Sequence, residues 1–258
     1  MVSSLRLSMN PKLSVVIPTR GRALLRRTVE SLSATHNACE LEIIIAGKIN
    51  DINLLEAIQG LSDAFYRLVI LPVSFPSGDS SNKKNAGLAE STSDIVAFLD
   101  DDVMVSTDWP HLILEPFKRD AVGMVSGPSL VPDNIPLIKR LFGMTLASAA
   151  SGYVSDRYWK GIKGQRSIKW SRIIGCNMAF RKTVLNSLGG FDTGFWPGEE
   201  MVASYNVAKN GNLIIFQPEA WLYHYPRSTL KSFIRQIFRY GATRIRLNRA
   251  GLEFEIST

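Results

Sequence analysis

The 258-residue sequence has few of the features that mark secreted or membrane-spanning proteins. Cysteine occurs only twice, at Cys39 and Cys176, which favours a reduced, cytosolic compartment without excluding one disulfide. Residues 1–12 lack the apolar core of a secretory signal. The longest uncharged stretch, residues 141–155, is shorter than the ~20 residues that span a bilayer. We therefore expect a soluble or peripheral cytoplasmic protein.

Several motifs of other protein classes are also missing. No Gly-x-Gly-x-x-Gly follows the first apolar run and no Gly-Lys-Ser/Thr occurs, which counts against dinucleotide oxidoreductases and P-loop enzymes. The chain has no zinc-finger signature, and its body does not interleave basic and aromatic residues. We therefore expect no nucleic-acid partner.

The positive charge is concentrated at the C-terminal end. Residues 227–258 hold seven basic and two acidic residues, a net charge of +5 out of the chain's +7. Helical spacing places one apolar face beside a basic stripe; these consist of Leu230, Phe233, Ile234, Ile237 and Phe238, and of Lys231, Arg235 and Arg239. Such a helix either lies on an anionic membrane or packs on the domain with a solvated basic edge.

The first half of the chain alternates between short apolar runs and helical patterns. Strands are predicted at residues 13–17, 41–46, 67–71, 94–99 and 122–126, with helices at 22–35, 51–61, 80–90 and 108–119. This order predicts an α/β fold with a mostly parallel central sheet and helices on both faces. No regular pattern is visible between residues 127 and 173. In parallel sheets, ligands bind at the carboxyl ends of the strands.

Three consecutive carboxylates follow the fourth predicted strand. Asp100 and Asp102 are two residues apart in an extended segment, so they would point the same way and suit a hard cation such as Mg²⁺ or Mn²⁺. The alternative is a turn or helix start, where Asp is common.

The order of short motifs resembles that of family-2 glycosyltransferases of the GT-A fold. The matching segments are Val-Val-Ile-Pro-Thr-Arg-Gly-Arg at 15–22, Lys-Asn-Ala-Gly-Leu-Ala at 84–89, the strand and acidic run at 94–102, Gly-Cys-Asn-Met-Ala-Phe-Arg at 175–181, Gly-Gly-Phe-Asp at 189–192 and Gly-Glu-Glu-Met at 198–201. The resemblance covers residues 13–224. Each motif alone is weak, but together and in this order they are specific.

The resemblance implies roles for the residues at matched positions. The nucleotide and its diphosphate would lie beside Pro18, Thr19, Arg20, Lys84, Asp100 and Asp101. Asp102 would bind a Mg²⁺ or Mn²⁺ ion that bridges the diphosphate, with His224 as a second ligand. Lys84 could instead belong to a solvated helix face, and His224 could be a packed structural residue.

The acidic pair Glu199-Glu200 occupies the position of the family's catalytic carboxylate. An inverting transfer needs a base that takes the proton of the acceptor hydroxyl, and we expect Glu200 to be that base. Family members usually carry Asp here, so Glu199 remains an alternative. Both acids could instead simply favour the start of the helix that follows.

The resemblance thus implies an inverting, metal-dependent hexosyltransferase that acts in cell-envelope polysaccharide or glycolipid synthesis. Its partners would be a nucleoside-diphosphate sugar and a glycan or lipid-linked acceptor, with peripheral contact to the inner face of the cell membrane. Residues 1–226 would form the GT-A domain, with a nucleotide-sugar half at 13–126, an acceptor half at 127–226 and a basic helix at 227–258. The alternatives are a catalytically silent nucleotide-sugar-binding protein and a nucleotidyltransferase. In the family, an Asp at the end of the second strand usually recognises the nucleotide base. This sequence has no Asp there, so the identity of the base is not predicted.

Overall fold

The computed structural model describes residues 10–76, 79–147, 164–227 and 229–252. Its main element is an eight-stranded sheet in the order β3-β2-β1-β4-β9-β6-β10-β8, and a smaller sheet has the order β5-β11-β7. In chain order, β1 to β11 are Leu13–Pro18, Leu41–Ala46, Arg67–Leu71, Ile95–Leu99, Val103–Val105, Val122–Ser126, Ser129–Leu130, Arg166–Ser167, Asn177–Arg181, Leu213–Phe216 and Leu222–His224.

The helices cover both faces of the main sheet. From α1 to α8 they are Leu24–Ser33, Ile52–Gln59, Asp79–Glu90, Trp109–Leu114, Leu137–Ala147, Lys182–Ser187, Glu199–Lys209 and Leu230–Arg249. One apolar cluster joins one sheet face to α1, α2 and α4, and a second joins the other face to α3, α6 and α7. The predicted α/β architecture with helices on both faces is confirmed, because strands that are apolar on both sides must be covered twice.

The strand order explains why the amino-terminal half was predictable. β1 pairs in parallel with both β2 and β4, and β2 pairs in parallel with β3. β1, β2 and β3 are each a mainly apolar run that is followed along the chain by a helix, which is the pattern of βαβ units. Helix α3 lies very close to β1, because a Cβ at Gly87 would stand 2.3 Å from Cγ1 of Val16.

The carboxy-terminal half departs from this regularity. β9 is antiparallel to both of its neighbours, β4 and β6. The helix predicted at 108–119 is α4 followed by a 3₁₀ turn at Glu115–Lys118, where Pro116 ends the regular helical hydrogen bonding. Helix α5 forms inside the stretch in which no pattern was visible, so that expectation was wrong for residues 137–147. Strands β7 and β8 also lie in that stretch, and its residues 148–163 lie outside the described residues.

Within the predicted basic C-terminal segment, helix α8 begins at Leu230 and ends at Arg249. Thr229 caps it: the Thr229 side chain accepts a hydrogen bond from the Ser232 N–H, and the Ser232 hydroxyl accepts one from the Thr229 N–H. Residues 253–258 of the predicted basic segment lie outside the described residues. Across the described ranges, no helix combines the length and the apolar character needed to cross a membrane.

Candidate active site

The loop after β1 is anchored to the acidic run after β4. Pro18 is the last residue of β1, and Thr19 and Arg20 follow it. Thr19 Oγ1 donates a 2.6 Å hydrogen bond to Oδ2 of the buried Asp101, and the Arg22 guanidinium forms an ion pair with the same carboxylate. Because β1 and β4 are adjacent and parallel, their carboxyl ends bring these loops together.

The end of β2 approaches the same loop. Gly47 has a φ of 151°, and a Cβ there would stand 2.1 Å from the Thr19 carbonyl oxygen. Only glycine permits this approach without displacement of the backbone. Arg20 extends away from the sheet: its side chain is 70% exposed, with Nε 3.7 Å from the Asp79 carboxylate. The loop is therefore fixed by contacts with Asp101 and Gly47, while the Arg20 side chain remains exposed to solvent.

Asp100, Asp102 and His224 converge at the edge of the sheet. Each offers one ligand atom, and these three atoms lie within 4.8 Å of one another. His224 Nε2 is 3.1 Å from Asp102 Oδ1 and 3.9 Å from Asp100 Oδ2. The antiparallel pairing of β11 with β5 places His224 opposite Val103, next to Asp102. The structure thus unites residues more than 120 positions apart, as the metal-ligand interpretation of His224 requires.

Asp102 is held in its ionised form. Burial raises the pKa of its carboxyl, but His224 and Arg22 outweigh that effect and lower the pKa to about 2. Arg22 Nη1 lies 3.0 Å from Asp102 Oδ2. Asp102 Oδ1 is buried and accepts no aligned hydrogen bond from the described residues, although His224 Nε2 is close in distance. A buried carboxylate oxygen without a bonded partner is a position that a cation would satisfy.

Asp100 has different surroundings. It lies in the wall of a cavity, and its side chain is 43% exposed. Those surroundings and the nearby Asp102 charge raise the pKa of the Asp100 carboxyl. His224 responds in the opposite sense to its burial: burial lowers its pKa, but Cys176 and Asp102 raise it well above the ordinary value. The two carboxylates repel each other and the imidazole attracts both, so the ionisation of each group depends on the other two.

A buried ion pair joins α3 to the start of α7. Lys84 Nζ lies 2.9 Å from Glu199 Oε1, and the two side chains are 5% and 3% exposed. The Gly198 N–H also donates a hydrogen bond of 3.1 Å to Glu199 Oε2. Burial raises the pKa of Glu199, but Lys84 lowers it by more. Lys84 is therefore not on a solvated helix face, and the Glu199 carboxylate is already paired with Lys84.

Replacing Lys84 with Met is expected to destabilise the fold by roughly 3–5 kcal/mol, because Glu199 would remain buried without its partner. Urea unfolding measures this loss. The matched control is Lys12→Met, whose Lys12–Glu40 pair spans 2.7 Å but is 54% and 32% exposed, so that its loss should cost less than about 1 kcal/mol. Adding Glu199→Gln to Lys84→Met should recover stability.

The pH dependence of this pair has a defined sign. Because the folded pKa of Glu199 lies below its ordinary value of 4.5, the stabilisation is complete above that value and is lost as the pH falls through the folded pKa. If Lys84→Met unfolded at the same urea concentration as Lys12→Met, the buried Lys84–Glu199 pair would stabilise the fold no more than the exposed Lys12–Glu40 pair.

One cavity of about 280 Å³ collects these groups. Its lining includes Lys84, Asp100, Glu199, Glu200 and His224. Glu200 packs against Gly175, where a Cβ would stand 3.2 Å from Glu200 Cγ. Half of the residues singled out from the sequence therefore line the cavity. Asp101 is not in the lining and instead contacts Thr19 and Arg22. The other predicted residues outside the lining are Pro18, Thr19, Arg20 and Asp102.

Sequence reasoning missed the contribution of α5 and α8 to this cavity. α8 lines it with Phe233, Gln236, Tyr240, Thr243 and Arg244, and α5 lines it with Gly143 and Leu146. A Cβ at Gly198, whose φ is 118°, would stand 2.6 Å from Thr243 Cγ2. The spacing of Gln236, Tyr240 and Thr243 at i, i+4 and i+7 was the available signal, since these polar residues interrupt the apolar and basic faces.

Comparison with known sequences gives a consistent result. The model of the family described as "Glycosyltransferase like family 2" matches residues 11–243. The succinoglycan biosynthesis protein ExoM of Rhizobium meliloti is 29% identical over 91% of this chain and 74% of its own length. The glucosyl-dolichyl phosphate glucuronosyltransferase of Haloferax volcanii is 24% identical over 64% of this chain. This chain spans half of that second relative's length.

Solved structures share the architecture. The mannosyltransferase PcManGT of Pyrobaculum calidifontis, solved with GDP-Man and Mn²⁺, has a TM-score of 0.65 at 18% identity. The alignment covers 93% of this chain and 65% of the PcManGT chain. TarS 1–349 of S. aureus, solved with UDP-GlcNAc, has a TM-score of 0.63 at 13% identity over 84% of this chain and 59% of its own. The chain therefore belongs to the family-2 glycosyltransferases and has the GT-A fold.

Proposed function

We propose that the protein transfers a sugar, with inversion, from a nucleoside-diphosphate donor to the hydroxyl group of an acceptor. The observation that carries this proposal is that Asp100, His224 and Glu200 line one cavity, beside Asp102, at the carboxyl edge of the sheet. A site that combines cation ligands with a separate carboxylate can both stabilise a departing diphosphate and accept a proton.

Asp102 and His224, with Asp100 beside them, would hold the metal ion. The buried, unbonded oxygen of Asp102 fits a cation, and carboxylates suit Mg²⁺ or Mn²⁺. An imidazole ligand favours Mn²⁺ of the two, since Mg²⁺ prefers oxygen. When bound, such an ion would neutralise the charge that develops on the nucleoside diphosphate as it leaves.

Glu200 would act as the general base. In this reaction the acceptor oxygen bonds to the anomeric carbon, the bond from that carbon to the diphosphate oxygen breaks, and the hydroxyl proton passes to the Glu200 carboxylate. Glu199 is less suited to this role, because the adjacent Lys84 charge lowers its pKa and occupies its oxygen. The ion pair would instead fix the first turn of α7 and thereby position Glu200.

The donor nucleotide would bind along the loop after β1, beside Pro18, Thr19 and Arg20. Asp101 would support that site indirectly, because its carboxylate holds the loop through Thr19 and Arg22. Lys84 would contribute positive charge to the diphosphate end of the cavity, which it lines. The fold relation to a structure solved with GDP-Man and Mn²⁺ supports this general arrangement.

The relatives support a proposal for the biological setting. One takes part in succinoglycan biosynthesis and another is named as acting on a dolichyl phosphate-linked sugar. We propose a role in cell-envelope polysaccharide or glycolipid synthesis, with a glycan or lipid-linked acceptor. The enzyme would work in the cytoplasm at the inner face of the cell membrane, with peripheral contact through α8.

A nucleotide panel tests the donor site. UDP, GDP and dTDP are each tested with and without Mn²⁺. We expect one of the three to raise the melting temperature of the protein, and to do so only when Mn²⁺ is present, because a ligand that binds only the folded state stabilises it. Thermal-shift measurements record this. No shift with any of the three, with or without metal, would contradict the proposal. Slow metal-dependent hydrolysis of the matching nucleotide sugar would then separate an enzyme from a silent binding protein.

A further inference from the structure

The exposed apolar side chains of this protein are concentrated on two helices. In the described ranges, thirteen large apolar residues are exposed, of which four lie on α5 and six on α8. Scattered single residues of this kind are normal on protein surfaces, but a concentration on neighbouring elements marks an interaction site.

Helix α8 has more apolar surface than its packing uses. Its inner face includes Phe233, Thr243 and Leu247, which are buried against the rest of the protein. A separate stripe at i, i+4 and i+8, formed by Leu230, Ile234 and Phe238, is 58%, 58% and 76% exposed. The stripe is thus a second apolar face that points away from the domain.

Helix α5 repeats this arrangement. Leu137, Leu141 and Met144, at i, i+4 and i+7, are 68%, 47% and 58% exposed. Phe142, on the inner side, is buried and stacks on Phe233 of α8, with ring centroids 4.5 Å apart and planes inclined by 8°. The stacked rings hold the two helices together, so their outward apolar stripes belong to neighbouring elements.

The charge around these stripes has one sign. Helices α5 and α8 contain eight basic residues and no acidic residue: Lys139, Arg140, Lys231, Arg235, Arg239, Arg244, Arg246 and Arg249. On α8, Lys231, Arg235 and Arg239 form a row at i, i+4 and i+8 beside the apolar stripe. An apolar face bordered by Lys and Arg complements a bilayer whose acyl region is apolar and whose headgroups are anionic.

We propose that the outward faces of α5 and α8 form a single docking surface for an anionic lipid bilayer. The surface extends the membrane contact proposed above for α8 to α5. Its biological role, but not the surface itself, rests on the proposed function. α8, about 30 Å long, would lie in the interface plane with its apolar stripe in the lipid and its basic row against phosphates. A second copy of the chain is disfavoured, because a two-fold contact would place one basic border against another.

The position of this surface has a consequence for the acceptor. Both helices also line the catalytic cavity, α8 through Gln236 and Tyr240 and α5 through Leu146. Docking would therefore hold the cavity at the membrane, where an acceptor anchored by an apolar tail could present its hydroxyl group. This assigns the acceptor to the class of lipid-anchored sugars or lipid phosphates.

Co-sedimentation with vesicles tests the docking surface. The intact chain is expected to bind vesicles of equal parts phosphatidylglycerol and phosphatidylcholine at low salt, and to bind pure phosphatidylcholine at least tenfold more weakly. Phe238→Glu on α8 and Leu141→Glu on α5 should each lower the partition coefficient by roughly tenfold or more. The matched control is Ile52→Glu, an equally apolar and 70% exposed position on α2, which should leave binding unchanged.

Three outcomes would overturn the proposal. One is equal binding to both vesicle types, and another is the same response of Leu141→Glu and Ile52→Glu. The third is a dimer in sedimentation velocity that the two Glu variants dissociate, which would assign the surface to a second copy. Calorimetry of the same variants with nucleoside diphosphate and Mn²⁺, without vesicles, separates this result from the enzyme assignment. Normal docking without nucleotide binding would refute only the proposed function.

Discussion

Replacement of Glu200 with Gln is expected to lower the rate of sugar transfer by roughly 10²–10⁴-fold, which is the usual contribution of a general base. Gln keeps the size of the side chain but does not accept a proton at neutral pH. The affinity for the donor should barely change, because Glu200 would face the acceptor hydroxyl and not the diphosphate. Steady-state kinetics with a confirmed acceptor, together with calorimetry of donor binding, measure both quantities.

Glu199→Gln is the control for this prediction. Glu199 is paired with Lys84 and hydrogen-bonded to the Gly198 N–H, so its replacement should mainly lower the melting temperature. Assayed at a temperature where the variant remains folded, it should lose less activity than Glu200→Gln. Near-normal turnover in Glu200→Gln, or a larger loss in Glu199→Gln, would mean that Glu200 is not the base.

Asp102→Ala is expected to abolish the metal-dependent binding of nucleoside diphosphate. The loss should exceed the roughly 10–100-fold that removal of a supporting residue around a metal ligand typically costs. The fold should survive, because Arg22 keeps its ion pair with Asp101 and the buried strand β4 is unchanged. Isothermal calorimetry with the preferred nucleotide, with and without Mn²⁺, measures the effect, and circular dichroism checks the fold.

Asp120→Ala provides the matched control. Asp120 is an exposed carboxylate just before β6, whose amino end lies at the opposite edge of the sheet from the cavity. Its removal changes the net charge by the same amount but should leave nucleotide affinity and metal dependence as they were. Unchanged affinity for nucleotide and Mn²⁺ in Asp102→Ala would remove Asp102 from the metal site.

Much of the sheet was predictable from local patterns. The bounds of β2, β3 and β6 match the predicted runs 41–46, 67–71 and 122–126, because each strand is a short, mainly apolar run of strand-forming residues. The acidic run directly after β4 could likewise be placed at the carboxyl edge from its position alone. The short motifs in their order were enough to identify the family.

Helix α5 shows where local patterns fail. Four of its six large apolar residues are exposed. Gly143 lies in its middle, where it makes room for Val131, so the segment lacks a clear core face. Helix propensity is a weak prior, and packing against α8 through Phe142 and Phe233 overrides it. Periodicity that assumes a single buried face does not detect such a helix.

The sequence by itself thus determined β1 to β4 and β6, the order of these units and the carboxylates after β4, because these features depend on short local runs of residues. Only the tertiary structure decided that His224 lies beside Asp102, that Lys84 pairs with Glu199 and that α8 closes the cavity. The first two of these contacts join residues more than 100 positions apart, and Thr243 of α8 meets Gly198 from 45 positions away. They follow from strand order and from the antiparallel pairing of β11 with β5, which no local hydrophobic pattern encodes.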